Sequence, residues 1–134
     1  MTTMTLDQQQ SIYVLTLTNG DQDNALNQDV LNEYIEIFDE IERDSHNACL
    51  VIQSDHPKTF CNGLDLAWLM QQSMQDKKAF TLQLENMLLR LALLNLPVIA
   101  EINGNAYAGG AILASACDFR LMRADKGCFC FPEV

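Results

Sequence analysis

Pro97 divides a long run of helix-spaced apolar residues from a short continuous one, and no other boundary restricts the fold as much. Upstream, Lys77 to Leu96 carries Phe80, Leu84, Met87, Leu88 and Leu91 along one face, the pattern of a packed helix. Proline lacks the N–H a helix interior needs and its ring clashes with the preceding turn, so the helix is expected to stop there. Downstream, Val98 to Ile102 reads as a buried strand. It is followed by N-G-N-A-Y-A-G-G, whose glycines lead into a helix of small residues, Gly110 to Cys117. Strand, glycines and helix in that order point to an α/β domain with crossover connections.

The rest of the chain repeats this alternation. Ser11 to Thr18 (S-I-Y-V-L-T-L-T) is rich in β-branched and aromatic residues and closes on Asn19-Gly20, which reads as a strand followed by a turn. Between Gln28 and Arg43, Val30, Leu31, Tyr34, Ile35, Phe38 and Ile41 recur at helical spacing, with Asn27 placed to cap the first turn. Ala48 to Gln53 is a short apolar run, expected as a strand buried on both faces, and Leu66 to Met74 reads as a further helix. Phe119 to Arg123 and Cys128 to Phe131 read as two short strands around a turn at Ala124 to Gly127. There is no repeat of fixed period and no shift in composition, so the 134 residues are expected to form one domain.

Charge removes some functions from consideration. Eight Lys+Arg against 18 Asp+Glu give a formal net charge of -10 with no basic cluster, which argues against nucleic acid as a partner. The longest uncharged apolar-rich stretch, Leu91 to Ala100, is far short of the ~20 residues of a membrane-spanning helix. Met1 to Gln10 has neither a basic n-region nor an apolar h-region, so no secretory leader is expected. The odd count of five cysteines is then expected as thiols.

Two places hold residues suited to chemistry. Lys58 to Leu66 (K-T-F-C-N-G-L-D-L) and Ile102 to Gly110 each run from a strand through glycine to a helix start. Backbone N–H groups at two such junctions can converge on a developing negative charge, which is what an oxyanion hole requires. An ordinary strand-to-helix turn is the plainer explanation of either junction alone. Cys61 reads as an incidental thiol, because His46 and His56 both lie in polar loops at no recognisable spacing from it. Cys128 and Cys130 lack a second ligand pair, so no metal site is expected. Glu133, beside Pro132 after an apolar strand, is the carboxylate best placed for proton transfer if it enters an apolar pocket; otherwise it is a solvated residue.

These segments together resemble the crotonase superfamily, the enoyl-CoA hydratase and isomerase proteins. The resemblance rests on D-N-A-L-N (Asp23 to Asn27), T-F-C-N-G-L-D-L (Thr59 to Leu66), P-V-I-A-E-I-N-G-N-A-Y-A-G-G (Pro97 to Gly110), A-S-A-C-D-F-R (Ala114 to Arg120) and F-P-E (Phe131 to Glu133). It implies a crotonase-like α/β spiral of β-β-α units. Residues 1-134 would be the N-terminal part of an acyl-CoA-binding domain, truncated before the C-terminal helical region that makes trimers in the full-length family. Ending there would leave an apolar edge exposed and so favour self-association.

The resemblance also implies roles. The thioester oxygen would sit between the N–H groups of Leu64 and Gly109, one such donor being worth ~3 to 4 kcal/mol of barrier. Adenine and pantetheine contacts would fall near Ala25, Asn62, Asp65 and Leu66. Hydratases of this family use two glutamates; here the first position is Ile112, which cannot transfer a proton, and the second is Glu133. One carboxylate suffices for allylic isomerisation, and the A-G-G-A-I-L and G-L-D-L wording looks more like the family's delta isomerases. The expected function is therefore conversion of 3-enoyl-CoA to 2-enoyl-CoA through an enolate. No cofactor separate from the acyl-CoA substrate is expected. Lys58 is the cation nearest to hand for CoA phosphates. A non-catalytic acyl-CoA-binding or partner-binding protein, and another crotonase reaction using residues from a C-terminal half, remain open. The implied compartment is the cytoplasm in a bacterium, or the peroxisome or mitochondrial matrix in a eukaryote.

Overall fold

The structure, a computed structural model, describes residues 2–44 and 48–134; His46 therefore lies outside the described residues. Strands β1 (Met4–Gln9) and β2 (Ile12–Leu17) form an antiparallel hairpin. Helix α1 (Gln28–Arg43) then crosses over to β3 (Cys49–Ser54), parallel to β2. Next come β4 (Thr59–Cys61), α2 (Leu66–Met70) and α3 (Met74–Ala92), then β5 (Val98–Ile102), β6 (Asn105–Tyr107) and α4 (Gly109–Ala116), and last β7 (Phe119–Met122) and β8 (Phe129–Cys130).

Two sheets result. The larger runs β1-β2-β3-β5-β7 and the smaller β4-β6-β8, and every pairing after the first hairpin is parallel. Successive strand pairs β3/β4, β5/β6 and β7/β8 each give one strand to either sheet, with helices between them. That is the spiral of β-β-α units the resemblance implied.

Local pattern explains the elements it specified. Val30, Leu31, Tyr34, Phe38 and Ile41 are buried on α1, and the Asn27 side chain accepts a hydrogen bond from the Val30 N–H at 3.1 Å, closing the orphan donors of the first turn. Phe80, Met87 and Leu91 bury the inner face of α3. Arg90 on α3 fastens the two helices, donating to Asp39 at 2.8 Å and Glu42 at 3.1 Å.

Several expectations are corrected. β1 lies in a stretch with no strand signal; its residues are mostly exposed and owe their conformation to pairing with β2. β3 buries Leu50, Ile52 and Ser54, whereas Cys49, Val51 and Gln53 are only half-buried, so one face alone is fully covered. The second helical stretch starts at Met74, where the Ser73 hydroxyl accepts from the Asp76 N–H, and stops at Ala92 rather than at Pro97. α2 ends at Met70, not Met74. All four residues of β7 are exposed, as are Phe129 and Phe131, so the far edge of both sheets presents apolar side chains.

Candidate functional site

The loop Asn19–Asn27 sets the site, because it ties the first hairpin to the smaller sheet. Asp23 and Asn24 both adopt left-handed backbone (φ 64 and 48), which a short polar side chain tolerates best. The buried Asn24 side chain donates to Ser54 Oγ at 3.0 Å and to the Phe60 carbonyl at 2.9 Å, and its oxygen accepts from the Asn19 N–H. Asp23 accepts the Asn62 backbone N–H on its carbonyl at 3.0 Å and the Asn62 side-chain amide on Oδ1 at 2.9 Å. Leu26 forms a parallel bridge to Leu64, donating to the Gly63 carbonyl and accepting from the Asp65 N–H. In a parallel bridge one residue bonds to both neighbours of its opposite. The Leu64 N–H is therefore turned away from Leu26.

The second junction meets the first at Gly63, whose φ is +96. A Cβ there would lie 2.8 Å from the Gly109 nitrogen, 3.1 Å from the Tyr107 carbonyl oxygen and 3.2 Å from the Ala108 Cβ, so only glycine lets the two backbones approach this closely. Ala108 donates to the Cys130 carbonyl at 2.9 Å, which completes its strand pairing, and then turns through φ 53 and ψ -121 into α4. That conformation is strained for alanine, by about 1–3 kcal/mol. It turns the Gly109 N–H out of the strand to open the helix, where first-turn donors have no intrahelical acceptor. Among the described residues, neither the Leu64 nor the Gly109 N–H has a hydrogen-bond acceptor.

Leu64 and Gly109 both line one cleft of about 340 Å³. Leu64, Leu66, Leu84, Tyr107, Ala108, Gly109 and Ile112 line it, and Pro132 and Glu133, both exposed, border it from the segment after β8. That segment is held by a turn in which Val134 donates to the Phe131 carbonyl, and by the edge-on rings of Phe129 and Phe131 5.5 Å apart. Trp68 stacks edge-on against Phe80 at 5.0 Å, fixing α2 against α3 beside Leu66 and Leu84.

The cleft thus brings together Glu133, Leu64, Gly109, Asn62, Leu66 and Ile112. It does not include Ala25, which borders a separate, much smaller hollow with Tyr34 and Val30. Asp65 is engaged within the chain: one oxygen caps α2 by accepting the Trp68 N–H at 3.0 Å, the other accepts the Asn27 amide at 3.3 Å. Lys58 opens with Lys126 onto another hollow, where β4, β6 and β8 begin; the cleft lies where they end. Cys61 is fully buried, and burial pushes its thiol up to about 12, which keeps it protonated and unreactive at neutral pH. Sequence reasoning missed Tyr107 and Ala108 as cleft residues and gave Leu84 to the core. The only signal at Tyr107 was a large aromatic residue amid glycine and alanine.

A sequence profile described as enoyl-CoA hydratase/isomerase matches residues 7–134. An enoyl-CoA delta isomerase 2, peroxisomal, of Arabidopsis thaliana is 33% identical over 97% of the chain and 56% of its own length. A short-chain-enoyl-CoA hydratase of Clostridium acetobutylicum is 32% identical over 96% of the chain and 49% of its own. Among solved structures, an enoyl-CoA hydratase/carnithine racemase from Magnetospirillum magneticum superposes with a TM-score of 0.87 at 28% identity, covering 94% of the chain and 48% of that protein. The chain spans about half the length of the curated relatives it matches.

Proposed function

The chain belongs to the enoyl-CoA hydratase/isomerase family, and from that premise we propose that it is an acyl-CoA-binding enzyme isomerising 3-enoyl-CoA to 2-enoyl-CoA. The thioester oxygen accepts hydrogen bonds from the Leu64 and Gly109 N–H groups. Glu133 removes a proton from C2, and the electron pair passes into the thioester carbonyl as a dienolate whose oxygen those donors stabilise. Glu133 then returns the proton at C4, so the double bond moves from C3–C4 to C2–C3 and no proton is lost. The CoA moiety runs past Asn62, Asp65 and Leu66 toward Ala25. No separate cofactor takes part. The compartment follows the host: cytoplasm in a bacterium, peroxisome or mitochondrial matrix in a eukaryote.

One observation carries the choice of isomerisation: among the described residues lining the cleft, Glu133 is the sole carboxylate and Ile112 stands in the wall. Adding water needs two placed acid/base groups, and isoleucine supplies none. A second reading, hydration with the missing group supplied from elsewhere, is favoured by the hydratase name of the Clostridium relative.

A coupled assay on a medium-length 3-enoyl-CoA, with acyl-CoA binding measured on the same samples, tests the reading. Glu133→Gln should abolish turnover and leave thioester binding largely intact. Unchanged turnover in that variant removes Glu133 from the mechanism, and binding without turnover in the parent chain supports a non-catalytic role. Ile112→Glu should add at most a trace of hydratase activity, since a carboxylate misplaced by ~1 Å loses most of its effect.

A further inference from the structure

Tyr107 has the largest side chain lining the cleft, and the fold gives that side chain no partner. On β6, Ala106 is fully buried, so Tyr107, one residue on, projects from the opposite face of the smaller sheet, across from Cys130 of β8. The ring is 40% exposed and stands outside the hydrophobic core. Among the described residues it has no aromatic partner, and its hydroxyl has no hydrogen-bond partner. Backbone pairing to β4 and β8 holds the strand, and that pairing is indifferent to the side chain. The neighbours along the chain, Ala106, Ala108, Gly109 and Gly110, are all small. A bulky ring set among them acts on the cleft rather than on the core.

Resting on the reading of the cleft as an acyl-CoA isomerase site, we propose that Tyr107 is its specificity-determining residue: the ring sets an upper limit on acyl length, so short 3-enoyl-CoA thioesters are taken and long ones rejected. Glu133 must reach both C2 and C4 while Leu64 and Gly109 hold the thioester oxygen, which places the reacting carbons between those groups. The tail beyond C4 then runs along the remaining bulky apolar lining, Leu66, Leu84, Ile112 and Tyr107. Leu66, Leu84 and Ile112 are slender aliphatic chains on three different helices. The phenol ring turns about only two bonds and cannot fold away from a chain that meets it. At about 340 Å³ the cleft is near the low end of the roughly 300–1,000 Å³ of small-molecule sites, so the bulk of one ring decides how much tail fits. A tail stopped by the ring turns out into water. Methylenes left in water add nothing to affinity, whereas each one buried tightens binding about fourfold.

Two measurements on the same samples test the proposal: calorimetric Kd for the saturated hexanoyl-CoA and dodecanoyl-CoA, and kcat/KM for 3-hexenoyl-CoA and 3-dodecenoyl-CoA, with circular dichroism confirming that each variant is folded. The parent should bind dodecanoyl-CoA no more tightly than hexanoyl-CoA and should favour 3-hexenoyl-CoA by at least about tenfold in kcat/KM. Tyr107→Ala should shift both ratios at least about tenfold toward the longer chain, the kinetic change lying mainly in KM. Tyr107→Phe keeps the ring and should keep the parent ratios, and Leu82→Ala, outside the cleft, should change neither. A parent that binds dodecanoyl-CoA the more tightly overturns the proposal, as does a folded Tyr107→Ala protein with the parent ratios. A Tyr107→Phe protein that behaves like Tyr107→Ala assigns the effect to the hydroxyl and overturns the steric limit. Because binding needs no turnover, a chain that binds the thioesters without isomerising them removes the proposed reaction and leaves the Kd ratios to decide this inference. Isomerisation with ratios unmoved by Tyr107→Ala removes the inference and leaves the reaction, and a parent that binds neither thioester overturns both.

Discussion

Gly63→Ala isolates the contact between the two strand-to-helix junctions. An added Cβ would meet the Gly109 nitrogen at 2.8 Å, the Tyr107 carbonyl oxygen at 3.1 Å and the Ala108 Cβ at 3.2 Å. Two of these are backbone atoms, so no flexible side chain can give way. To reach an ordinary contact of 3.4 Å, the Gly109 nitrogen must retreat by about 0.6 Å (3.4 minus 2.8). The alanine must also hold φ near +96, a conformation that costs an L side chain about 1–3 kcal/mol. The melting temperature should accordingly fall by several degrees, about 3 °C for each kcal/mol. Donors serving a transition state must be held to within about 0.5 Å, so the same displacement should lose much of one donor, about a 100-fold fall in kcat. Gly109→Ala is the comparison: its Cβ meets the Gly63 Cα at 3.2 Å and Leu26 Cδ1 at 3.6 Å, with no positive φ, and should cost less on both measures. Circular-dichroism melting and turnover of a 3-enoyl-CoA on the same samples decide it. A folded Gly63→Ala protein turning over at the parent rate would refute the claim that this contact positions the donors.

Gly110→Ala should prevent folding at 25 °C, because its Cβ would lie 1.8 Å from the Cys61 carbonyl oxygen where α4 packs on β4; soluble expression and the melting transition test this. Alkylation followed by mass spectrometry should label the exposed Cys128 first and leave buried Cys61 and Cys117 unmodified until unfolding. Those two thiols also set an alkaline limit. Burial raises both from 9.0 to about 12, so between those pH values the unfolded chain loses protons that the folded chain keeps. Their contribution is fully present below pH 9 and falls as pH rises toward 12. Urea midpoints should hold steady to about pH 8 and then decline, and Cys61→Ala, Cys117→Ala should flatten that decline.

Legibility followed the range of the interactions. α1 could be read to its cap because its stripe and Asn27 act within a few residues of one another. β2, β3 and β5 were visible as apolar or β-branched runs. The three-residue strands β4 and β6 were not, because their hydrogen bonds come from each other, Thr59 opposite Asn105 and Cys61 opposite Ala106, across more than forty residues. β1 escaped for the same reason: exposed Asp7, Gln8 and Gln9 carry no burial signal, and β2 imposes their extension.

The site divides in the same way. By itself the sequence determined that two glycine-bearing junctions exist, that the position beside the second holds isoleucine, and that one glutamate follows Phe131-Pro132. Tertiary structure alone decided that Gly63 touches Gly109, that Leu64 turns its N–H from Leu26, and that Leu84 and Tyr107 join the wall while Ala25 does not. The physical reason is that residue type limits what a position can do chemically, but the direction of an N–H depends on partners distant in sequence. Here Asp23, Asn24 and Leu26 hold β4 and the turn after it in place, and Cys130 anchors Ala108 until the chain turns into α4.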